Sequence, residues 1–143
     1  MKTFVVLAVS IVLVSILFCP LAIAAPPMPN DVQIVEPDPS LPKEIADFWG
    51  KWEGNGPLGK VFLIVEKIDK EKASLYEWQG GDGRIPESWQ RWEANVIKEY
   101  GKYKVWFKNN QAPMGSVNVE YTLKGKTLNC DWGRTSYRLT RVP

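Results

Sequence analysis

The chain of 143 residues contains no histidine and only two cysteines. Histidine is the side chain whose charge changes near neutral pH, so its absence removes the usual general base and the commonest metal ligand. A Ser–His–Asp or Cys–His catalytic arrangement is excluded, and a structural zinc site would lack its ordinary ligands. The sequence therefore indicates no catalytic residues, no metal site and no cofactor.

Cysteine is scarce enough to exclude a disulfide framework. Cys19 falls in the apolar N-terminal run, which leaves Cys130 alone in the rest of the chain. A lone cysteine forms no internal disulfide, so an exported domain of this kind takes its stability from its core. No histidine or pair of neighbouring cations is evident to lower the pKa of the Cys130 thiol. We expect a small buried hydrophobe rather than a reactive thiol.

Charge of either sign is in little excess. The net charge of the chain is +2, and it becomes +1 if Lys2 is removed with an N-terminal signal peptide. This balance gives no electrostatic reason to expect nucleic acid or an acidic polymer as partner. The stretch Arg91–Lys108 mixes basic and aromatic residues, as surfaces that bind single-stranded nucleic acid do. The balanced charge argues against that partner, and so does the export that the N-terminal residues predict.

The N-terminal residues have the pattern of a secretory signal peptide. Lys2 precedes the apolar run Phe4–Phe18, and Ala22-Ile-Ala24 supplies the small residues that signal peptidase requires. Residues 1–24 are therefore predicted to be cleaved, which leaves a protein in the periplasm, the cell envelope or the extracellular space. The alternative is an uncleaved leader that anchors the chain, since the apolar run is nearly long enough to span a membrane. In that case the leader would be the only membrane contact.

Two further regions follow the leader. Residues 25–42 contain six of the eleven prolines in the chain and predict an extended tether. Residues 43–143 are predicted to form one domain, which begins with a helical turn or two within Ser40–Asp47. A first strand is expected over Phe48–Gly54.

The domain has the pattern of an all-β meander. Eight short strands are expected, joined by short turns that favour antiparallel neighbours. The clearest alternation is in Ser116–Leu123, where Val117, Val119, Tyr121 and Leu123 share one face. Ser88–Tyr100 is ambiguous because some of its apolar residues also fall at helical spacing, but we expect a strand. Closure into a small up-and-down barrel would remove both unpaired edges.

The first strand contains Gly50-Lys51-Trp52 shortly after the predicted helix. This arrangement resembles the opening motif of the calycin superfamily, which includes lipocalins and avidin-like proteins with eight-stranded barrels. The resemblance implies that Trp52 plugs one end of the barrel beneath Arg141, with Arg138 as the alternative. It also implies a lipocalin-like fold and a general binding role, without a particular ligand.

Aromatic residues crowd the central strands. We predict that five of them line a pocket for a small hydrophobic or aromatic ligand, in the barrel or at its mouth. The alternative for each is ordinary core packing, because a small barrel needs bulky interior groups. The predicted ligand-binding residues are Tyr76, Trp78, Trp92, Trp106 and Tyr121.

Two other functions stay open from the sequence. The first is a protein-binding module, such as an inhibitor of an envelope hydrolase, that uses the loops Gly80–Pro86 and Asn109–Gly115. The second is an enzyme of the glycosidase type, which needs two carboxylates beside one cleft. The carboxylates considered for that role are Glu53, Glu77, Glu93 and Glu120.

Overall fold

A computed structural model describes residues 26–81, 83, 86–112 and 115–143. The predicted signal peptide, residues 1–24, lies outside the described residues. A four-residue helix, α1, precedes eight strands, and no helix in the described ranges is long and apolar enough to cross a membrane. The elements are α1 (Lys43–Ala46), β1 (Gly50–Gly56), β2 (Gly59–Ile68), β3 (Lys72–Gly81), β4 (Ser88–Glu99), β5 (Lys102–Asn109), β6 (Val117–Lys124), β7 (Thr127–Trp132) and β8 (Thr135–Val142).

The strands form one closed antiparallel barrel. Each strand pairs with the next along the chain, and β1 pairs with β8 through contacts such as Trp52 opposite Arg141. The prediction of an eight-stranded antiparallel barrel preceded by a short helix is confirmed. The first strand begins at Gly50, two residues later than expected, because the chain from Phe48 to Trp49 still hydrogen-bonds back to α1.

Alternation along the strands decides which side chains face the interior. In β6, Val119 and Tyr121 are buried, whereas Asn118 is exposed. The ambiguous segment is strand β4, as predicted, with Trp89 opposite Trp78 and Trp92 opposite Leu75 of β3. Residues directly opposite each other share a face, so Trp89 and Trp92 lie on opposite sides of the sheet.

Helix α1 closes the end of the barrel at which β1 begins. Ile45, Phe48 and Trp52 are each 1% exposed there. Burial of a large apolar side chain contributes about 1.5–3 kcal/mol relative to its exposed state, so these three residues make a large part of the core at this end. The indole Nε1 of Trp52 donates to the carbonyl of Phe48 over 2.9 Å, so the polar atom of the plug is satisfied.

The segment from Pro26 to Leu41, which falls in the predicted tether, contains no helix or strand, and part of it lies against the outside of the barrel. The backbone N–H of Val35 donates to the carbonyl of Glu66 over 2.7 Å, and that of Gln33 donates to Glu66 Oε1 over 3.0 Å. Arg91 joins the segment to the wall, because its guanidinium contacts both Asp31 and Glu66. Part of the Pro-rich segment therefore packs on the barrel wall.

Candidate ligand-binding site at the barrel mouth

The end of the barrel opposite α1, here called the mouth, is where the turns β1–β2 and β7–β8 and the loops β3–β4 and β5–β6 meet. A cavity of about 170 Å³ opens there. Its wall comes from the β1–β2 turn, the β3–β4 and β5–β6 loops and the ends of four strands, so no single stretch of sequence contains the site. The cavity is lined by Leu58, Glu77, Gln79, Pro86, Ser88, Gln90, Asn109, Gln111, Ala112 and Trp132.

Strand alternation brings a polar row to the mouth. In β3, Ala73 and Leu75 face the interior, and the same parity turns Glu77 and Gln79 inward. Glu77 stands opposite Gln90 and Gln79 stands opposite Ser88 in β4. Inward positions are thus apolar near α1 and polar near the mouth.

Glu77 is a buried carboxylate in the wall of the cavity. It is only 6% exposed, and its Oε1 accepts hydrogen bonds from Tyr121 Oη over 3.0 Å and from Gln79 Nε2 over 3.1 Å. Burial raises the pKa of Glu77 above its usual range, because the charged form loses its hydration. The two hydrogen bonds favour the ionised form but do not cancel the effect of burial.

Aromatic side chains fill the barrel at the level of Tyr121. The ring of Trp92 stacks on Phe107 with centroids 5.0 Å apart, and Phe107 stacks on Tyr121 at 6.4 Å. Cys130 and Tyr137 are buried at the same level. Burial raises the pKa of the Cys130 thiol far above its usual range, and the expectation of a buried, unpaired cysteine is confirmed.

Three of the five predicted ligand residues lie on the wrong face of the sheet. Tyr76 and Trp78 alternate with inward Leu75 and Glu77, so both lie on the outer wall. There Tyr76 packs beneath the guanidinium of Arg91, at 4.5 Å from its ring centroid, and Trp78 packs edge-on against Phe62.

Trp106 is the third of these residues. It lies between the buried residues Val105 and Phe107 and opposite Glu120, and it therefore points outward. The prediction placed bulky aromatics inside, but Trp92, Phe107 and Tyr121 already occupy that space. Trp92 and Tyr121 are interior residues that lie beneath the cavity rather than in its lining.

The residues proposed as a plug meet at the closed end. The Arg141 guanidinium lies 4.3 Å from the centroid of the Trp52 ring and donates to the backbone carbonyls of Asp47 and Trp49. Gly50 has a φ of +113°, and a Cβ atom at this position would come within 2.8 Å of Arg141 Nη1. A residue without Cβ is needed here for both reasons. Arg138, the alternative partner, lies between the buried residues Tyr137 and Leu139 and therefore points outward.

The four candidate carboxylates do not converge. Glu53 and Glu93 are exposed, and Glu120 is half-buried opposite outward-facing Trp106. Glu77 alone among them lines the mouth cavity.

The two loops proposed for protein binding border the mouth. Pro86, Asn109, Gln111 and Ala112 contribute to its lining. The remaining loop residues at 82, 84, 85, 113 and 114 lie outside the described part of the chain.

The sequence arguments missed the amide residues of the mouth. Gln79, Gln90, Asn109 and Gln111 line the cavity but were not candidates. The signal that could have found them is alternation along a strand. Every second residue faces the same side, so polar residues in step with inward apolar ones must also face the interior. Glu77 and Gln79, after Ala73 and Leu75, have that spacing.

No protein-family model, curated protein sequence or solved structure matches this chain. Within the ranges that the structure describes, no group of three or more acidic or cysteine side chains is placed to hold a metal ion. The mouth cavity is the place where a buried ionisable group, several amides and open space come together.

Proposed function

We propose that the protein is an exported, non-catalytic binding protein that holds a small polar molecule in the mouth cavity. The observation that carries the proposal is the placement of Glu77, a carboxylate buried at the wall of an open cavity. Perturbed titratable groups beside a concave site with convergent polar groups are the usual marks of a functional site. Export rests on the signal-peptide pattern of residues 1–24.

The lining favours a polar ligand over the apolar or aromatic one that the sequence indicated. The side chains of Gln79, Gln90, Asn109 and Gln111 each carry both a donor and an acceptor. Trp132 and Leu58 add apolar contact at two sides. The cavity of about 170 Å³ suits a small molecule or one end of a larger one.

A binding role fits the chemistry of the lining better than catalysis. Among the described residues that line the cavity, Glu77 alone ionises. Acid–base catalysis of glycoside hydrolysis needs a second carboxyl group across the substrate, and Glu53, Glu93 and Glu120 lie elsewhere. The calycin resemblance, based on Gly50-Lys51-Trp52 and Arg141, is in keeping with a barrel that binds at its open end.

A protein-binding module is the second candidate function. The loops Gly80–Pro86 and Asn109–Gly115 lie at the same end as the cavity, so a partner protein seated there would cover the mouth. Such a partner would contact the rim, and blocking the cavity itself would alter its affinity little.

The test uses the mature chain, residues 25–143, in a screen of small polar metabolites followed by NMR. We expect shifts at the Trp132 indole and at the side-chain amides of Gln79 and Asn109. A Ser88→Phe variant, which fills the mouth from its first β4 residue, should abolish the shifts. Ser116→Phe adds the same ring at an exposed site outside the lining and should leave them intact. Shifts confined to the outer wall, or equal responses in both variants, would contradict the proposal.

A further inference from the structure

The mouth cavity is lined by an acidic side chain but, among its described residues, by no basic one. Among the described residues, ten line it, and they include one carboxylate, Glu77, and no lysine or arginine. Ionised carboxylates buried away from water are normally paired with a cation or held by charged donors. When Glu77 ionises, its carboxylate therefore has no cation among the described lining residues.

The described side chains that interact with Glu77 are neutral. Tyr121 and Gln79 donate hydrogen bonds to Glu77 Oε1. The nearby Trp92 indole also favours the ionised form of Glu77, although its N–H makes no hydrogen bond of normal geometry. Beneath the carboxylate, Tyr121 of β6, Cys130 of β7 and Tyr137 of β8 are also buried. Burial raises the pKa of each of these three groups well above its usual value, so they are uncharged at neutral pH.

The rest of the lining also suits a positive charge. Trp132, only 8% exposed, presents an aromatic ring to the cavity, and the negative face of an indole attracts cations. The amide oxygens of Gln90 and Gln111 are acceptors for N–H donors. One carboxylate is too few for Ca²⁺ or Mg²⁺, which require several oxygen ligands in a close shell.

We propose that the ligand of the mouth cavity is a small organic cation, an ammonium or guanidinium group, with Glu77 as its counter-ion. This inference rests on the proposed binding function and names its chemical class. The cation brings N–H donors and the charge that the cavity lacks. An uncharged analogue of similar size lacks that charge, and it leaves Glu77 without a counter-ion.

Proton linkage gives the inference a characteristic pH dependence. A cation binds the ionised form of Glu77, so binding at a pH below the pKa of the empty site must release a proton. Affinity for the cation therefore rises with pH until Glu77 is ionised in the free protein. A neutral ligand that binds only the amides has no such dependence.

The experiment titrates the mature protein with propylammonium and methylguanidinium, and with 1-butanol and propanamide as uncharged analogues of similar size. Binding is followed by NMR at about pH 8 and about pH 5, above and near the ordinary pKa of glutamate. We expect both cations to bind about tenfold or more tightly than the analogues at the higher pH, and to weaken at the lower pH. Glu77→Gln, nearly isosteric and uncharged, should abolish this preference.

Glu87→Gln is the matched control, since Glu87 is an exposed carboxylate beside the mouth but outside the lining. It removes the same charge and should retain cation binding within about twofold. Trp132→Phe is a second variant that keeps Glu77 and should weaken the cations without changing their pH dependence. Cation binding that survives Glu77→Gln would overturn the inference.

The two proposals fail in different ways. If neutral polar molecules shift the mouth residues and the cations bind no better, the cation inference is wrong and the binding function stands. If neither the four probes nor the polar screen shifts any residue of the mouth, both are wrong.

Discussion

The two ends of the barrel hold their charged side chains in opposite ways. At the closed end, the Arg141 guanidinium lies over Trp52 and donates to two backbone carbonyls. At the mouth, the Glu77 carboxylate is buried among neutral groups beside open space. Strand alternation builds both ends, so the difference lies in which partners the chain supplies. At the closed end the chain itself supplies the partners of Arg141, which stabilises the fold. At the mouth the Glu77 carboxylate can still interact with a ligand.

The largest expected effect comes from removing the plug. Trp52→Ala should destabilise the fold by about 3–5 kcal/mol, because it leaves a cavity beneath α1 and removes the support of Arg141. Trp106→Ala is the matched control on the outer wall, and its half-buried ring should cost clearly less. Urea denaturation of the mature chain measures both. Similar losses of unfolding free energy for the two variants would show that Trp52 stabilises the fold no more than an outer-wall tryptophan does.

The second largest expected effect is the contribution of the Arg141 charge to stability, separate from that of the apolar residues around it. Arg141→Met keeps an unbranched side chain but loses the donors to Asp47 and Trp49 and the contact with the Trp52 ring. We expect a loss of about 1.5–3 kcal/mol, the range for hydrogen bonds of charged groups. Arg138→Met, an exposed change on the same strand, should alter the free energy of unfolding by no more than about 0.5 kcal/mol. Equal changes in the free energy of unfolding would show that Arg141 does not stabilise the plug.

The architecture followed from the sequence because strands, turns and edges obey local rules. Alternation in Ser116–Leu123 placed Tyr121 inside correctly, and closure followed from the need to pair both edges. The faces of β3 and β5 did not follow, since aromatic residues were assumed to be internal. In β3 the inward parity belongs to Leu75 and Glu77, and Tyr76 finds its cover outside, under Arg91.

Two features of the site lay beyond sequence reasoning altogether. The mouth joins four connections that are distant in the chain, so its lining emerges only when the barrel closes. The irregularity between Val65 and Lys67 in β2 shifts the end of the strand by one residue, so that Ile68, opposite Ala73, faces the interior, and no residue pattern marks it. Both depend on the register between strands, which a single sequence does not fix.

Glu66 provides a sharper comparison, because it is a second buried carboxylate that has its counter-ion. It is 4% exposed and takes both hydrogen bonds of the Arg91 fork, at 3.0 and 3.2 Å. Glu66→Gln breaks this pair and loosens the extended segment at Gln33, and it should destabilise by about 1–3 kcal/mol. Hydrogen exchange at Gln33 should rise in parallel. An unchanged stability would mean that the pair on the outer wall carries no net energy.

The same substitution at Glu77 should have the opposite sign. Its pKa is raised in the folded state, so the folded protein binds more protons than the unfolded chain between the two pKa values. The contribution of Glu77 to the free energy of unfolding is therefore greatest below the ordinary glutamate pKa, and it is lost as the pH rises through the raised pKa. Glu77→Gln removes this loss and should raise the melting temperature at neutral pH, with little change near pH 4.

The measurement is the melting temperature of wild type, Glu77→Gln and Glu66→Gln between about pH 4 and pH 8. The difference between wild type and Glu77→Gln should widen with pH, in favour of the variant. If the two curves stay parallel, or if Glu77→Gln is the less stable protein at neutral pH, Glu77 is paired in solution. A paired Glu77 would make the mouth an ordinary structural end of the barrel, like the end closed by Trp52.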